Sequence, residues 1–288
     1  IMTLCNPGDE VLLPRPYWVT YLEQIKLAGG TPVILECHPD TLVFSLEELK
    51  RKMTARTRLL ILNNPSNPSG VVLQKGFLEA MAETLRPHDL VVISDEIYEH
   101  LVYEGEFPVS IATFPGMKEK TIIVNGVSKT FSMTGWRIGY AAGPREAIKA
   151  MEKLQDHSTS NPTSVSQKAA VTALRSNPHL VREMVEKFDR RRQLMMHHLR
   201  EIPEVTFPVP QGAFYLFANF TPYLEQKFQG ECIGSSIKLA EILLEKAHIA
   251  CVPGIAFGME GYLRFSYATS EENIEKGMRR LRDFITKL

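Results

Sequence analysis

Short, unbroken apolar runs alternate with stretches of three- and four-residue apolar spacing through the first half of the chain. The runs Glu10–Leu13, Val33–Glu36, Leu59–Leu62, Leu90–Ser94, Thr121–Val124 and Ile138–Ala142 are rich in valine, isoleucine and leucine. They do not alternate apolar with polar, which is the pattern of strands buried on both faces. Between them, Thr20–Ala28, Leu46–Met53 and Phe77–Leu85 read as amphipathic helices. The alternation predicts an α/β fold with a mostly parallel, doubly wound central sheet flanked by helices. In such sheets ligands bind beyond the carboxyl ends of the strands.

From Arg145 the pattern turns helical, with Ala147–Leu154, Val165–Leu174 and a long charged stretch from Leu180 to about Leu199. That last helix is expected to bridge to a smaller α+β domain. There, Gly212–Phe217, Ile249–Val252 and Leu263–Tyr267 read as strands, and Ile237–Lys246 and the segment from Ser270 onward as helices. The final helix is assigned a capping box, Thr269 with Glu272, and an apolar stripe of Ile274, Met278, Leu281 and Ile285. Thr221–Gly230 reads as a loop. The expected division is 1–185 for the large domain and 186–288 for the small one. The chain opens close to Asn6-Pro-Gly-Asp-Glu10 and a strand, as the middle of a domain would, so an upstream segment is expected.

Composition narrows the function classes. The 33 lysines and arginines balance the 33 aspartates and glutamates, which gives no support to a nucleic-acid or anionic-membrane partner. No apolar run approaches membrane-span length. The four cysteines, Cys5, Cys37, Cys232 and Cys251, are scattered without metal spacing, so reduced thiols and a cytoplasmic location are expected. The eight histidines form no ligand cluster; His197 and His198 are adjacent on a helix and cannot share a face.

The chemistry sits at the predicted strand ends. The first strand leads to Pro16-Tyr17-Trp18, and the third to Asn63-Asn64-Pro65-Ser66-Asn67-Pro68-Ser69-Gly70. The fourth leads to Asp95 and Tyr98, and the fifth to Lys129, with Arg137 eight residues later in a Gly-Trp-Arg-Ile-Gly context. A lone lysine after a strand is most often a surface lysine. Delivered into a partly desolvated pocket, it is pushed toward the neutral amine that Schiff-base chemistry needs. Arg137 is then a natural phosphate partner.

Each remaining residue has a bland reading as well. Asp95 alone reads best as a helix N-cap for the segment beginning at Glu96; beside a heterocyclic cation it would hold a ring nitrogen protonated. Tyr98 is either an interface tyrosine or a hydroxyl donor. Asn67 lies in a loop stiffened by two Asn-Pro steps, a plain turn or a rigid amide donor, where a cis bond is an option. Trp18 is either core filling or a stacking face for a flat ring. Arg264, within Tyr262-Leu-Arg-Phe-Ser-Tyr267, is a solvent-facing charge or a bidentate fork for a carboxylate. Pro253-Gly254 and the turn Gln211-Gly212-Ala213-Phe214 are expected to bring backbone near the same cleft. Four strands placing an aromatic, an amide, a carboxylate with a phenol, and an amine on one rim describe a site.

These motifs together resemble the fold-type I, pyridoxal-phosphate-dependent class I/II aminotransferases along the whole chain. Asn64-Pro-Ser-Asn-Pro-Ser-Gly70 is similar to the family's Asn-Pro-Thr-Gly loop, and Ser94-Asp-Glu-Ile-Tyr98 to its Asp-x-x-Tyr element. Ser128-Lys129 with Arg137 resembles the lysine signature, and Arg264-Phe-Ser the carboxylate-binding arginine. Within the family, the stretches Val124–Gly139 and Arg264–Ser270 resemble the bacterial and plant aspartate aminotransferases, some of which also use prephenate.

The resemblance implies a homodimer with shared sites that carries an amino group from an L-amino acid such as aspartate to a 2-oxo acid such as 2-oxoglutarate. It implies pyridoxal 5′-phosphate bonded to Lys129, which also moves the proton, and a ring nitrogen held by Asp95. Tyr98 and Asn67 would serve the ring oxygen, Trp18 its face and Arg137 the phosphate. Arg264 with Asn67 and Trp18 would serve the substrate. A second polar cluster for a dicarboxylate is sought in Ser158-Thr-Ser-Asn161 of the partner subunit. Gly126 departs from the pattern, standing where many relatives carry a phosphate-binding hydroxyl. Relatives also carry an upstream arm and a helix N-terminus that cradles phosphate. The alternatives are a pyridoxal-phosphate β-lyase, and a silent fragment or partner-binding chain of the same fold.

Overall fold

The strand and helix runs build two bodies, each about its own sheet, with one long helix between the sheets in chain order. The structure is a computed structural model that describes residues 1–104 and 107–288. The first body holds β1 (Glu10–Pro14), α1 (Val19–Leu27), β2 (Thr31–Leu35), α2 (Leu46–Lys52), β3 (Thr57–Asn63), α3 (Lys75–Leu85), β4 (Val91–Asp95), β5 (Thr121–Gly126) and β6 (Gly139–Ala142). Its six strands lie in the order β2-β1-β3-β4-β5-β6. The first five run parallel and β6 is antiparallel to β5, which makes the sheet mixed.

The apolar runs of β1 and β3 are buried on both faces as expected, whereas β6, at the sheet edge, is mostly exposed. Leu12, Leu60, Leu62 and Val92 pack on one side against Leu49, Leu78, Met81 and Leu85 of α2 and α3. Their sequence neighbours Val11, Leu13, Leu59 and Ile61 pack on the other against Tyr21 and Ile25 of α1. Alternate side chains thus serve opposite layers, and the charged residues of these strands, Glu10, Arg58 and Asp95, stand at or next to a strand end. Helix starts follow local chemistry: Ser45 accepts the Glu48 backbone N–H at 3.0 Å at the head of α2.

Beyond the sheet come α4 (Arg145–Asp156), α5 (Ser164–Leu174) and α6 (Pro178–Arg200). Asn177 caps α6 with Pro178 in its first turn, a position where the missing N–H costs nothing. The second body is built from β7 (Tyr215–Asn219), α7 (Thr221–Leu224), β8 (Lys227–Phe228), β9 (Glu231–Cys232), α8 (Ser236–Ala247), β10 (Val252–Pro253), β11 (Tyr262–Ser266) and α9 (Glu271–Ile285). Its three-stranded antiparallel sheet runs β10-β11-β7. One core joins α6, α8 and α9 to this sheet and also takes in Tyr98 and Leu101 from the first body.

Arg192 of α6 is wholly buried in that junction. It donates to Asp189 Oδ1 at 2.8 Å, to the Pro210 carbonyl at 2.7 Å and to Glu104 Oε1 at 2.5 Å. Its guanidinium also lies over the Tyr103 ring at 4.9 Å. A buried cation is tolerated only when paired in this way.

Several expectations are corrected. Thr221–Gly230 is not a plain loop: it forms α7 and enters the β8–β9 hairpin. The capping residue of α9 is Ser270, which accepts the Asn273 N–H at 3.2 Å; Thr269 instead accepts from the Asn273 side chain. A Ser-Thr pair before a helix leaves two registers open, and the chain takes the later one. The strand expected at Gly212–Phe217 begins at Tyr215, because Gly212 is committed to the loop contact described below. Only Val252 of the strand expected at Ile249–Val252 lies in one. The stripe Ile274, Met278, Leu281 and Ile285 is buried as expected.

Candidate active site

Every strand end named from the sequence reaches one cavity of about 380 Å³, a size ordinary for a small-molecule site. Trp18 follows β1, Asn67 follows β3, Asp95 ends β4 and Lys129 follows β5; Tyr98, Arg137 and Arg264 complete the lining. All seven residues singled out from the sequence are brought together. Parallel strands point their carboxyl ends the same way, so residues 18 to 137 converge without being adjacent in sequence.

Lys129 is half-buried, and among the described residues its ammonium has no hydrogen-bond partner. It lies 5.9 Å from the Tyr98 ring and 5.8 Å from that of Phe214. Burial lowers its pKa first, and the charges of Arg137 and Arg264 add to the effect; Asp95 opposes it. The amine is therefore driven toward its neutral, nucleophilic form.

Asp95 is not a helix cap. The residues after it form turns rather than a helix; its Oδ1 accepts the Ile97 N–H at 3.2 Å, and its Oδ2 takes the Tyr21 hydroxyl at 2.5 Å. Burial raises the pKa of its carboxyl, while the bonds from Tyr21 and Ile97 and the charge of Lys129 pull it back. A carboxylate balanced in this way is completed by a cation. Tyr98 is buried and its hydroxyl lies 3.1 Å from that of Tyr215. Burial pushes its phenol well up, so it stays protonated and able to donate.

The Asn63–Gly70 loop is held from both ends. Asn63 Oδ1 accepts the Asn67 N–H at 2.7 Å, and Asn63 Nδ2 donates to the Asp95 carbonyl at 3.2 Å. The Asn64-Pro65 and Asn67-Pro68 bonds are cis, as is Arg15-Pro16. At the far end the Gly70 carbonyl accepts from Gln211 and Gly212 N–H, both at 2.8 Å. Gly212 packs against Pro65, so the Gln211–Phe214 turn does approach the site loop. Gly254 does not reach the cavity; it packs against Met259 and Tyr262.

Arg264 is no solvent-facing charge. Its guanidinium sits between Tyr215 at 4.3 Å and Phe257 at 4.9 Å and donates to Asn67 Oδ1 at 2.8 Å. Its Nε is buried without a partner, and burial lowers the pKa of the group. The bond to Arg264 occupies the Asn67 oxygen and leaves its amide nitrogen as a donor. Arg137 is exposed, in the left-handed region with φ 54°, and donates to the Thr134 carbonyl at 2.6 Å. Trp18 is half-buried and meets Tyr21 edge-on, ring centroids 5.2 Å apart.

Sequence reasoning missed Tyr21, Asn63, Ser128 and Tyr215 as lining residues. Tyr21 carried one usable signal, its place one helical turn after Trp18. Gly126 gains an explanation: a Cβ there would stand 2.9 Å from the Ile138 carbonyl and 3.1 Å from Gly139 Cα. The close β5–β6 approach excludes a side chain.

An unpartnered amine, a balanced carboxylate, a phenol and an amide that donate, and an arginine at the rim fit a phosphorylated pyridine aldehyde. Among the described residues no group of histidine, cysteine and acidic side chains could hold a metal ion, and no helix is long and apolar enough to cross a membrane.

Comparison with known proteins agrees. The family model for aminotransferase class I and II matches residues 1–281. An aspartate aminotransferase of Geobacillus stearothermophilus is 45% identical over 98% of this chain and 71% of its own length. The crystal structure of an aspartate aminotransferase from Rhizobium meliloti superposes with a TM-score of 0.95 at 41% identity, covering 100% of this chain and 73% of that one. An aromatic aminotransferase from Pyrococcus horikoshii superposes at 0.92, also 41% identical, covering 99% of this chain and 75% of that one.

Proposed function

The chain belongs to the class I and II aminotransferases, and we propose that it transfers the amino group of aspartate to a 2-oxo acid such as 2-oxoglutarate, using pyridoxal 5′-phosphate. The observation that carries this is Lys129: an unpartnered, desolvated amine sharing one cavity with Asp95, Tyr98, Arg137 and Arg264. Aspartate is favoured because the Geobacillus and Rhizobium relatives bear that name. The Pyrococcus relative is named for aromatic substrates, which makes an aromatic amino acid the second reading.

Pyridoxal phosphate, when bound, supplies an aldehyde and an electron-withdrawing ring. The protein supplies the rest. Asp95, steadied by Tyr21, would keep a proton on the ring nitrogen. Tyr98 and the Asn67 amide would donate to the ring oxygen, Trp18 would cover a ring face, and Arg137 would hold the phosphate. Arg264, fixed by Asn67 and two aromatic rings, would grip the substrate α-carboxylate with its remaining guanidinium N–H groups. Lys129, released to its neutral form, would take the proton from the substrate α-carbon and deliver it to the cofactor's aldehyde carbon. The named relatives are transaminases, which favours transfer over elimination and over a silent chain.

We take residues 1–185 as the cofactor-binding domain and 186–288 as the smaller one, in a cytoplasmic homodimer. The dimer is supported by large apolar side chains left exposed between residues 136 and 174, Trp136, Tyr140, Leu154, Val165, Val171 and Leu174. Ser158–Asn161 is exposed and is available to a neighbouring subunit. The cytoplasm is supported by four unpaired cysteines.

The test is an absorbance spectrum of the purified chain with added pyridoxal phosphate, before and after aspartate, with Lys129→Ala as control. A visible band absent from the control, removed by aspartate and restored by 2-oxoglutarate, is expected. A band that aspartate leaves unchanged but phenylalanine removes would replace the substrate by an aromatic one. No band would sink the reading.

A further inference from the structure

Tyr215 stands at the start of β7, in the second body, yet its side chain meets two residues of the site. Its hydroxyl lies 3.1 Å from the Tyr98 hydroxyl, and its ring carries the Arg264 guanidinium 4.3 Å from its centroid. It is buried and lines the cavity. Neither contact is between sequence neighbours: Tyr98 is 117 residues away.

The hydroxyl contact has a direction that matters. Two protonated phenols at this distance place one proton between the oxygens and leave the other free. If Tyr98 donated to Tyr215, Tyr98 would have nothing to give to a ligand. If Tyr215 donates, the Tyr98 oxygen is satisfied as an acceptor and its own proton turns into the cavity. The ring contact acts on a different part of the site. An arginine between two aromatic faces loses rotamer freedom and keeps its edge N–H groups in one plane, which suits a carboxylate fork.

We propose that Tyr215 is a positioning residue that aims the Tyr98 proton with its hydroxyl and seats Arg264 with its ring, so that one side chain serves both cofactor and substrate. The proposal rests on the function inferred above. Its place is held by backbone rather than by chance: Ser266 of β11 is its register partner, and a Cβ on Gly70 would stand 3.0 Å from the Tyr215 carbonyl. The loop bearing Asn67 and the strand bearing Tyr215 are therefore packed against one another.

Two substitutions separate the two contacts. Tyr215→Phe keeps the ring under Arg264 and removes the hydroxyl; Tyr215→Leu removes both. Each is loaded with pyridoxal phosphate. The pH titration of the bound cofactor's visible band and the affinity for maleate, an unreactive dicarboxylate, are then measured by spectral titration. Tyr215→Phe is expected to move the band's titration midpoint by about half a pH unit or more while leaving maleate affinity within about twofold. Tyr98→Phe added to Tyr215→Phe should move the midpoint no further than Tyr98→Phe alone. Tyr215→Leu is expected to weaken maleate by about tenfold.

A Tyr215→Phe protein with an unmoved midpoint, or a Tyr215→Leu protein with unchanged maleate affinity, overturns the proposal. Circular dichroism of Tyr215→Phe, the conservative variant, guards against a folding defect. A cofactor band in the unsubstituted protein with no effect of either variant is failure of the proposal alone. No band in the unsubstituted protein overturns the functional reading and the proposal with it.

Discussion

Tyr21 donates its hydroxyl to Asp95 Oδ2 at 2.5 Å, bridging α1 to the end of β4 across 74 residues of sequence. The bond stabilises the charged carboxylate against its burial, which otherwise favours the neutral acid. Removing it with Tyr21→Phe therefore raises the Asp95 pKa further. The expected consequence is weaker cofactor retention and a half-transamination rate lower by about tenfold, read in a stopped-flow absorbance trace with aspartate. An unchanged rate would show that Asp95 needs no such support.

Asp95→Asn separates stability from function. The folded-state pKa of Asp95 is raised, so the folded chain binds more protons than the unfolded one between the ordinary carboxylate value and the raised one. Its contribution to stability is greatest below the ordinary value and is lost as pH rises through the folded one. At neutral pH the cofactor-free Asp95→Asn protein is expected to show a higher denaturation midpoint, with transamination lower by about a hundredfold or more. Urea melts of both proteins at acid and neutral pH check the sign: the difference should shrink on acidification.

Arg264→Lys keeps the charge but loses the planar fork, the bond to Asn67 and the fit between Tyr215 and Phe257. KM for amino acid and oxo acid is expected to rise about 10- to 100-fold, the range of one or two charge-assisted hydrogen bonds. Steady-state kinetics with each substrate varied in turn decide it. A fall in kcat with KM intact would place Arg264 outside carboxylate binding.

Lys129→Arg retains a cation and Lys129→Ala does not, yet both are expected to lower turnover by about a thousandfold or more, because neither offers a neutral primary amine. Arg137→Ala acts differently. It removes a like charge that depresses the Lys129 pKa, so the acid limb of the kcat/KM profile should move to higher pH. A profile recorded between acid and alkaline limits, with cofactor saturating, shows whether the limb moves.

Gly70→Ala tests the packing behind the site. Gly70 has φ 70°, and a Cβ there would lie 2.5 Å from Pro210 Cβ and 2.9 Å from the Gly212 carbonyl. Left-handed backbone and overpacking together are expected to cost about 2–4 kcal/mol. Chemical denaturation gives the stability, and substrate KM values show whether Asn67 and Tyr215 have moved with the loop. Gly76, with open space around its Cβ position, is the control for a tolerated alanine.

The aromatic residues show where sequence reasoning stopped. Trp18 is legible because a flat ring needs a stacking face and the chain offers only one other tryptophan, Trp136. Tyr21 and Tyr215 were passed over because a tyrosine in an apolar run is ordinarily core or interface. Their importance lies in the residues they meet, Asp95, Tyr98 and Arg264, all remote in sequence. Arg192 was likewise read only as part of a charged helix, although it is wholly buried. A charged helical stretch does not show that Glu104 and the Pro210 carbonyl stand opposite it.

The sequence by itself determined the alternation of strands and helices, the mostly parallel sheet and the rim that carries Lys129, Asp95, Tyr98, Asn67, Trp18, Arg137 and Arg264. It could do so because burial on both faces, helical spacing and strand-end chemistry are local or periodic properties of a chain. Tertiary structure alone decided the balance of charge in the cavity, the register at the head of α9, the hairpin after α7 and the pairings of Tyr21 and Tyr215. Those depend on which groups approach across tens of residues, and so on packing that brings distant backbone within hydrogen-bond reach. A pKa or a proton's direction is set by such neighbours and by the water they exclude, and no local pattern encodes them.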